Sequence, residues 1–281
     1  MYKTVAAVAV MLALTNFTSR ACAGDEPRPL WEHQADLRLD AMPLKLEDQA
    51  ARGQRLGWSD EWFFNTTPSL WFAAITGTAG PSNAKVDVDA GLDEIFDNGT
   101  LGLGFNFEAG VQRWSFLFTG MWMHLGDDAS ANSGGASADL DGDFGMIDLA
   151  VAYDLREWRV RSRQMLYLDG LLGLRWTKVS TKVNISGGVR EDRDKDFVDP
   201  YIGLRARWYI SNQFDLSATG TVGGAGVGSD LLATGEVLLE YRFSDSYSLV
   251  AGYRAYYYDY SDNFEWNVTM HGPVIGLTIR W

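Results

Sequence analysis

The sequence has few of the features that commonly stabilise exported proteins, such as cysteines for disulfides, or that anchor proteins in a membrane, such as long apolar helices. It has one cysteine, and beyond its N-terminal region no run of about 18 apolar residues occurs, which excludes an ordinary transmembrane helix. Lysine is scarce, and 37 acidic residues face 24 basic ones, for a net charge of −13. Such acidity excludes nucleic-acid binding, which requires a basic face. A membrane barrel built from strands is compatible with all of these absences.

Residues 1–23 have the composition of a secretory signal peptide. Lys3 precedes the apolar core at residues 5–14, and residues 21–23 are Ala-Cys-Ala, the small-residue pattern of a cleavage site. Cys22 could also mark a lipoprotein, but Arg20 stands where such signals have a small residue. Cleavage removes Lys3, Arg20 and the one cysteine, so the mature chain has a net charge of −15 and no disulfide.

The mature chain divides into two regions by composition. Residues 24–61 are polar with three prolines, and we expect a mostly irregular periplasmic extension. From Trp62 to Trp281, apolar and polar residues alternate with the period of two that predicts β-strands. Ten segments have this alternation: residues 64–77, 100–112, 114–125, 145–155, 165–179, 198–210, 214–223, 233–243, 247–258 and 272–281.

The connections between these segments alternate in length. Short ones, such as 112–113, 156–163 and 211–213, take turns with longer Gly, Asp and Ser-rich ones, such as 126–144 and 180–197. Short turns on one side and long loops on the other predict an outer-membrane barrel. We therefore predict an all-β protein with a single antiparallel transmembrane barrel of ten strands, or eight if the first hairpin packs outside.

The residue types on each face indicate which face lines the lumen and which faces outward. The polar face combines arginines, acids and glycines, as expected of an enclosed lumen in which charges need partners. The predicted luminal charges are Glu108, Asp148, Asp169, Arg175, Arg205, Arg207, Glu236, Glu240, Arg242, Arg254 and Arg280. Aromatic residues near strand ends on the apolar face predict a girdle at the lipid–water boundary. These are Trp114, Tyr153, Trp176, Trp208, Tyr241 and Tyr247.

The C-terminal stretch GPVIGLTIRW resembles the C-terminal signature of outer-membrane proteins, a terminal aromatic preceded by alternating apolar residues. The resemblance implies recognition by the barrel-assembly machinery through Ile275, Leu277, Ile279 and Trp281. Residues 62–281 resemble small bacterial outer-membrane barrel proteins, an OmpA-like and largely uncharacterised group, most clearly at VDPYIGLRARW, GAGVGSD and AGYRAYYYDY. That resemblance implies the architecture of an outer-membrane barrel. From this architecture we expect an outer-membrane location, contact with lipid and lipopolysaccharide, and a monomer.

Three functions are compatible with this architecture. The first is a structural or surface-interaction role with a lumen filled by side chains; the second is a narrow pore for small solutes. The third is a loop-borne hydrolase, for which His124 with Asp127 or Asp128 is the best base–orienter pair. No nucleophile motif accompanies it, so we expect no catalytic residues, cofactor or metal site. Cation binding by the five aspartates of residues 126–143 stays open.

Overall fold

The computed structural model describes residues 60–81, 86–90, 101–133, 136–161, 164–185, 189–262 and 264–281. They belong to the structural unit Trp58–Trp281. The predicted signal peptide and residues 24–59 of the predicted extension lie outside the described residues. None of the described residues forms a helix long and apolar enough to cross a membrane.

Every regular element in the described part of the chain is a β-strand. The strands are β1 (Phe63–Phe72), β2 (Ala74–Pro81), β3 (Val86–Ala90), β4 (Leu101–Val111), β5 (Trp114–Ser133), β6 (Ala136–Arg161), β7 (Gln164–Ile185), β8 (Val189–Tyr209), β9 (Phe214–Gly224), β10 (Leu231–Arg242), β11 (Tyr247–Ser261) and β12 (Phe264–Arg280).

The strands close into one antiparallel barrel. Each of β4 to β12 pairs with its neighbour along the chain, and β1 pairs with both β4 and β12. After an interruption at Ala73, β2 continues β1 along β12, so the two form a single barrel strand. The barrel therefore has ten strands, as predicted, and the first strand is part of it, which rules out the eight-stranded alternative. The short β3 pairs with β2.

The strand register gives the tilt of the barrel. We start at Trp71 and follow the paired residues from strand to strand around the barrel. One direction leads to Tyr167 on β7 and the other leads to Val179 on the same strand, 12 residues away. A shear of 12 over ten strands belongs to barrels whose strands tilt by about 35–45°. Because the offset is even, each strand keeps one face inward around the whole circumference.

We call the end with the short turns, Phe63 and Trp281 the turn end, and the opposite end the loop end. Several predicted connections are strands instead. Residues 126–144 were expected to form a loop, but β5 extends to Ser133 and β6 starts at Ala136, with a register shift between Leu125 and Ala129. Residues 180–197 and 156–163 are likewise largely strand. The prediction was wrong because cross-strand pairing, which composition does not encode, overrides the weak strand propensity of Gly, Asp and Ser.

Candidate functional site: the barrel lumen

The turn-end half of the lumen contains a cluster of four charged side chains. Arg205 donates to Asp169 (Nε–Oδ2 2.8 Å) and to Glu108 (Nη2–Oε1 2.9 Å). Arg207 donates to the second oxygen of Asp169 (Nη2–Oδ1 2.9 Å). Asp169 is 1% exposed. Two acids and two arginines from β4, β7 and β8 thus neutralise one another inside the barrel, as buried charges require.

Two further ion pairs lie in the same half. Arg242 donates to Asp215 (Nη2–Oδ2 2.5 Å), and Arg280 contacts Glu240 and the Ser248 hydroxyl. Sequence reasoning missed Asp215, because the alternation in residues 214–223 is weak and small residues follow it. Its position next to the outward-facing Phe214 was the available signal.

Nearer the middle of the barrel, an ion pair is enclosed by aromatic rings. Arg175 donates two hydrogen bonds to Asp148, at 2.7 Å (Nε–Oδ1) and 2.6 Å (Nη2–Oδ2). Its guanidinium lies 4.9 Å from the ring centroid of Tyr256 and 5.4 Å from that of Tyr201. Gly173 provides space for Tyr201, since a Cβ at that glycine would lie 2.5 Å from the tyrosine Cζ. The pair is fixed by hydrogen bonds and by cation–π contacts.

A second enclosed pair lies beside the first. Arg254 donates to Glu236 (Nε–Oε2 2.5 Å) and lies 5.8 Å from the Trp71 ring and 5.9 Å from the Tyr256 ring. Tyr256 therefore contacts both arginines. Every acid among the eleven predicted luminal charges contacts an arginine of the same set, and Arg242 contacts Asp215.

The loop-end half of the lumen is lined mainly by apolar side chains, which the sequence analysis did not anticipate, although the polar residues Thr177 and Asp199 are also buried there. Phe144 stacks on Trp266 (6.4 Å between centroids, 13° between planes) and packs edge-on against Tyr258 at 5.9 Å. The buried set is Trp71, Ala73, Ile75, Ala79, Met121, Met123, Phe144, Met146, Val179, Phe197, Leu232, Tyr256, Tyr258, Trp266, Val268, Met270 and Val274. Aromatic and methionine side chains therefore line much of the interior beyond the ion pairs.

The inward and outward faces of single strands exchange polarity along the length of the strand. On the turn-end part of β12, Ile275 and Leu277 are exposed (41% and 36%), while Arg280 is buried on the inner face. On its loop-end part, Val268 and Met270 are fully buried inside, and outward positions such as Thr269 are polar. The turn-end part is apolar outside and charged inside; the loop-end part has the pattern of a water-soluble barrel.

The seam between β1 and β12 has gaps at prolines. Trp281 N donates to Phe64 O, so every second residue of β12 from Trp281 directs its backbone toward β1. Paired residues are absent around Pro68, which has no N–H to donate. Beside this gap, the hydroxyls of Thr67 and Thr278 lie 2.9 Å apart and connect the strands through side chains.

A second gap lies where β1 gives way to β2. Pro273 on β12 directs no N–H toward the end of β1, and pairing resumes at Ala74 with His271. The Trp71 indole Nε1 donates to the carbonyl of Gly272 at 3.2 Å. At both gaps an inward side chain thus supplies a hydrogen bond beside a missing backbone bond.

The predicted girdle and assembly-signal residues lie on the outward face. Trp114 and Tyr153 pack together (4.6 Å), as do Phe214 and Tyr241 (5.1 Å). Trp176 and Trp208 are half-buried, Tyr247 is exposed, and Trp281 is 77% exposed. Ile275, Leu277 and Ile279 also face outward.

The histidine pair predicted from sequence takes a different form. His124 Nδ1 lies 3.1 Å from Asp143 Oδ1, not against Asp127 or Asp128, whose side chains lie outside the described residues. His124 and Asp143 are about half exposed on the outer face. His271 Nδ1 lies 2.6 Å from the Tyr253 hydroxyl, also outside the barrel. Among the described residues, no group of three or more His, Cys, Asp or Glu side chains could hold a metal ion; the side chains of 125–141 are not described.

No protein-family model and no curated protein sequence matches the chain. Solved structures of bacterial outer-membrane β-barrels do match. The outer membrane protease OmpT from Escherichia coli is 12% identical, with 82% of this chain and 100% of OmpT covered and a TM-score of 0.46.

Two smaller proteins also match. Neisserial surface protein A is 13% identical, with 77% of this chain and 96% of that protein covered and a TM-score of 0.34. The attachment invasion locus protein Ail of Yersinia pestis is 12% identical, with 79% and 99% covered and a TM-score of 0.36. These identities are low, and the ten-stranded fold follows from the strand pairing of this chain itself.

Proposed function

We propose that the chain is an integral outer-membrane β-barrel whose lumen is filled by its own side chains. In this proposal it serves a structural or surface-interaction role and does not conduct solutes. The exchange of faces along single strands is the observation that supports the membrane location. In the turn-end part, leucines and isoleucines are exposed outside and paired arginines lie inside, as expected where hydrocarbon surrounds the barrel. In the loop-end part, polar residues lie outside and methionines are buried inside, as expected where water surrounds it.

The length of the apolar band agrees with this location. On β12 it runs over residues 273–281, and on β7 over residues 166–176. A tilted transmembrane strand needs about 9–11 residues. The loop-end parts of β5 to β8 then extend beyond the membrane as paired strands and present surface to lipopolysaccharide or to partners.

The side chains that line the lumen support the non-conducting role. Ions entering from the turn end would meet four interlocked charges, then two arginines enclosed by rings, then a layer in which Phe144, Trp266 and Met270 are almost completely buried. Passage would require removing ions from water into an apolar layer, which is costly without polar partners.

A conductance measurement in planar bilayers at several voltages tests this role. We expect no current steps from the wild-type barrel. A double variant, Phe144→Ala with Trp266→Ala, removes two stacked rings and serves as a control with a widened lumen. Its folding is checked by comparing the gel mobility of heated and unheated samples in SDS. Reproducible steps from the wild type would instead favour the narrow pore, and that result decides the matter even if the double variant does not fold.

We also propose that the chain has no catalytic site. The His124–Asp143 pair is about half exposed on the outer wall, away from the lumen. Hydrolase activity that disappears in a His124→Ala variant would contradict this. The expected partners are membrane lipid, lipopolysaccharide and, during insertion, the barrel-assembly machinery acting on Ile275, Leu277, Ile279 and Trp281, with the mature protein a monomer that needs no cofactor.

A further inference from the structure

The turn-end tip of the β6–β7 hairpin differs in charge from the rest of the protein. We call residues 155–161, LREWRVR, the basic tip. It has three arginines and one glutamate in a chain of net charge −13, and all seven residues are exposed. Strand β6 continues through this segment past Tyr153, which pairs with the girdle residue Trp114 at the turn-end start of β5.

A β-bulge determines where the basic side chains point. Asp148 and Asp154 are buried on the inner face of β6, and the register shifts between Asp154 and Arg156. Beyond the shift, Arg156 pairs with Leu168 and Trp158 with Leu166. Leu166 and Leu168 belong to the outward face of β7, so the bulge places Arg156 and Trp158 outward, where regular alternation would have placed them in the lumen.

The basic tip has an amphipathic surface. The Arg156 guanidinium lies 5.3 Å from the centroid of the Trp158 ring. Leu155 lies against β7 at Gly170, with its Cδ1 3.3 Å from where a Cβ would stand. Leu155 and Val160 are about half exposed (52% and 48%). Exposed apolar side chains next to an arginine are typical of the boundary between lipid chains and headgroups.

The arginines of the basic tip, unlike those of the lumen, have no acidic partner within the described part of the chain. Six luminal arginines each contact a carboxylate. Among the described residues, neither Arg156, Arg159 nor Arg161 forms an ion pair. Their guanidinium groups retain donors in a planar fork, which matches the oxygens of a phosphate.

The height of the basic tip places it among headgroups if the barrel lies in a membrane as proposed above. Trp158 pairs with Leu166, the turn-end limit of the apolar band on β7, and Arg161 pairs with Gln164, two residues beyond that limit. Two residues are about 5 Å along the barrel axis for a strand rising about 3.3 Å per residue at a tilt near 40°. The headgroup layer is about 5–7 Å thick on each side. Arg161 therefore lies in the headgroup layer of the leaflet at the turn end. Arg156 pairs with Leu168, two residues inside the band, and its guanidinium reaches the boundary beside the Trp158 ring.

We propose that the basic tip binds anionic phospholipid in this leaflet, with Arg156 and Arg161 holding the headgroup phosphate and Trp158 packing at the chain boundary. Continuity with the lipid-facing leucines of β7 favours a lipid over an acidic protein. Charge complementarity favours phosphatidylglycerol over phosphatidylcholine. This inference depends on the membrane location proposed above.

Native mass spectrometry of the detergent-solubilised full chain, with equimolar phosphatidylglycerol and phosphatidylcholine, tests the proposal. We expect the wild type to retain phosphatidylglycerol preferentially. Arg156→Gln and Arg161→Gln should each reduce that preference about fivefold, equivalent to about 1 kcal/mol per cationic side chain near an anionic surface. Arg156→Lys should retain part of it, because the charge remains but the fork is lost.

Lys178→Gln is the matched control, since it removes an exposed cation near the loop end and should leave the lipid preference unchanged. Equal retention of both lipids by the wild type, or an unchanged preference in the Arg156→Gln, Arg161→Gln double variant, would overturn the proposal. Insertion into lipid vesicles is measured separately. A wild type that inserts but has no lipid preference refutes only the basic tip, whereas failure to insert refutes the membrane barrel itself.

Discussion

Asp169→Asn is the most informative single change in the lumen. It preserves the size and shape of the side chain while removing one of the two negative charges that balance Arg205 and Arg207. Asp169 accepts hydrogen bonds from both arginines and is almost completely buried. The variant therefore converts a neutral cluster of four charges into one with an uncompensated buried cation.

The expected loss of stability follows from the geometry. Two charge-assisted hydrogen bonds, each worth about 1.5–3 kcal/mol, are weakened together. Removing one partner of a buried ion pair generally costs about 3–5 kcal/mol. Arg207 has the larger share of this loss, because Arg205 still contacts Glu108. We therefore expect Asp169→Asn to lower the free energy of unfolding by about 3–5 kcal/mol.

Urea unfolding of the barrel in lipid vesicles, followed by tryptophan fluorescence, measures this quantity. Glu157→Gln, which neutralises an exposed acid on β6, is the control and should change the unfolding free energy by less than about 0.5 kcal/mol. Adding Arg207→Gln to Asp169→Asn should restore at least about 1 kcal/mol relative to additivity, because the two residues interact directly. A loss below about 1 kcal/mol for Asp169→Asn, or strict additivity, would refute the idea that the charges act as one cluster.

The remaining predictions concern packing and closure. Gly173→Ala should destabilise the barrel by about 1–3 kcal/mol in the same assay, because the new methyl would overlap the Tyr201 ring. Gly145→Ala on β6 is the control and should not destabilise the barrel, because no atom lies within 4 Å of the new Cβ. Equal losses of stability in the two variants would contradict this explanation. Thr67→Val removes the hydroxyl bond beside the Pro68 gap and should accelerate hydrogen exchange of β1 and β12 amides. Thr119→Val, which breaks a comparable bond between β4 and β5, should leave those amides unchanged; similar acceleration in both variants would argue against a side-chain connection at the seam.

The strand count could be predicted because the turn-end halves of the strands have a simple pattern. Residues 100–112 were expected to form a strand, and β4 occupies Leu101–Val111. In this region outward-facing and luminal residues differ strongly in polarity, so alternation and turn spacing together specify each hairpin. The pairing of the charges follows from the register between strands, which a single sequence does not provide.

The ends of the strands could not be predicted in the same way. Residues 126–143 consist mainly of Gly, Asp, Ser and Ala, all poor strand formers, yet most of them lie in β5 and β6. Once the adjacent residues are paired, extending the hairpin satisfies backbone hydrogen-bonding groups whatever the side chains are. The bulge that turns Arg156 outward was missed for a similar reason, since an extra residue in one strand shows itself only against its partner.

The apolar layer of the lumen could have been found from the phase of the alternation. On β12 the apolar residues of the first part are Trp266, Val268 and Met270, at even positions, whereas those of the last part, from Ile275 to Trp281, are at odd positions. No bulge separates the two parts in the pairing of β11 with β12, so the phase change cannot come from a shift of register. One face must therefore be apolar over part of the strand and polar over the rest.

A change of surroundings outside the barrel is a sufficient physical cause of such a phase change. In hydrocarbon the outward side chains must be apolar and the lumen can hold paired charges; in water the outward side chains are polar and the apolar ones turn inward. The same exchange occurs on β11, where Leu249 and Tyr253 are exposed but Tyr256 and Tyr258 are buried. It occurs again on β8, between the buried Phe197 and the exposed Ile202. Three strands thus change phase as they approach the loop end, as expected if they leave the membrane there, and a barrel surrounded by water along its whole length would have no reason to do so.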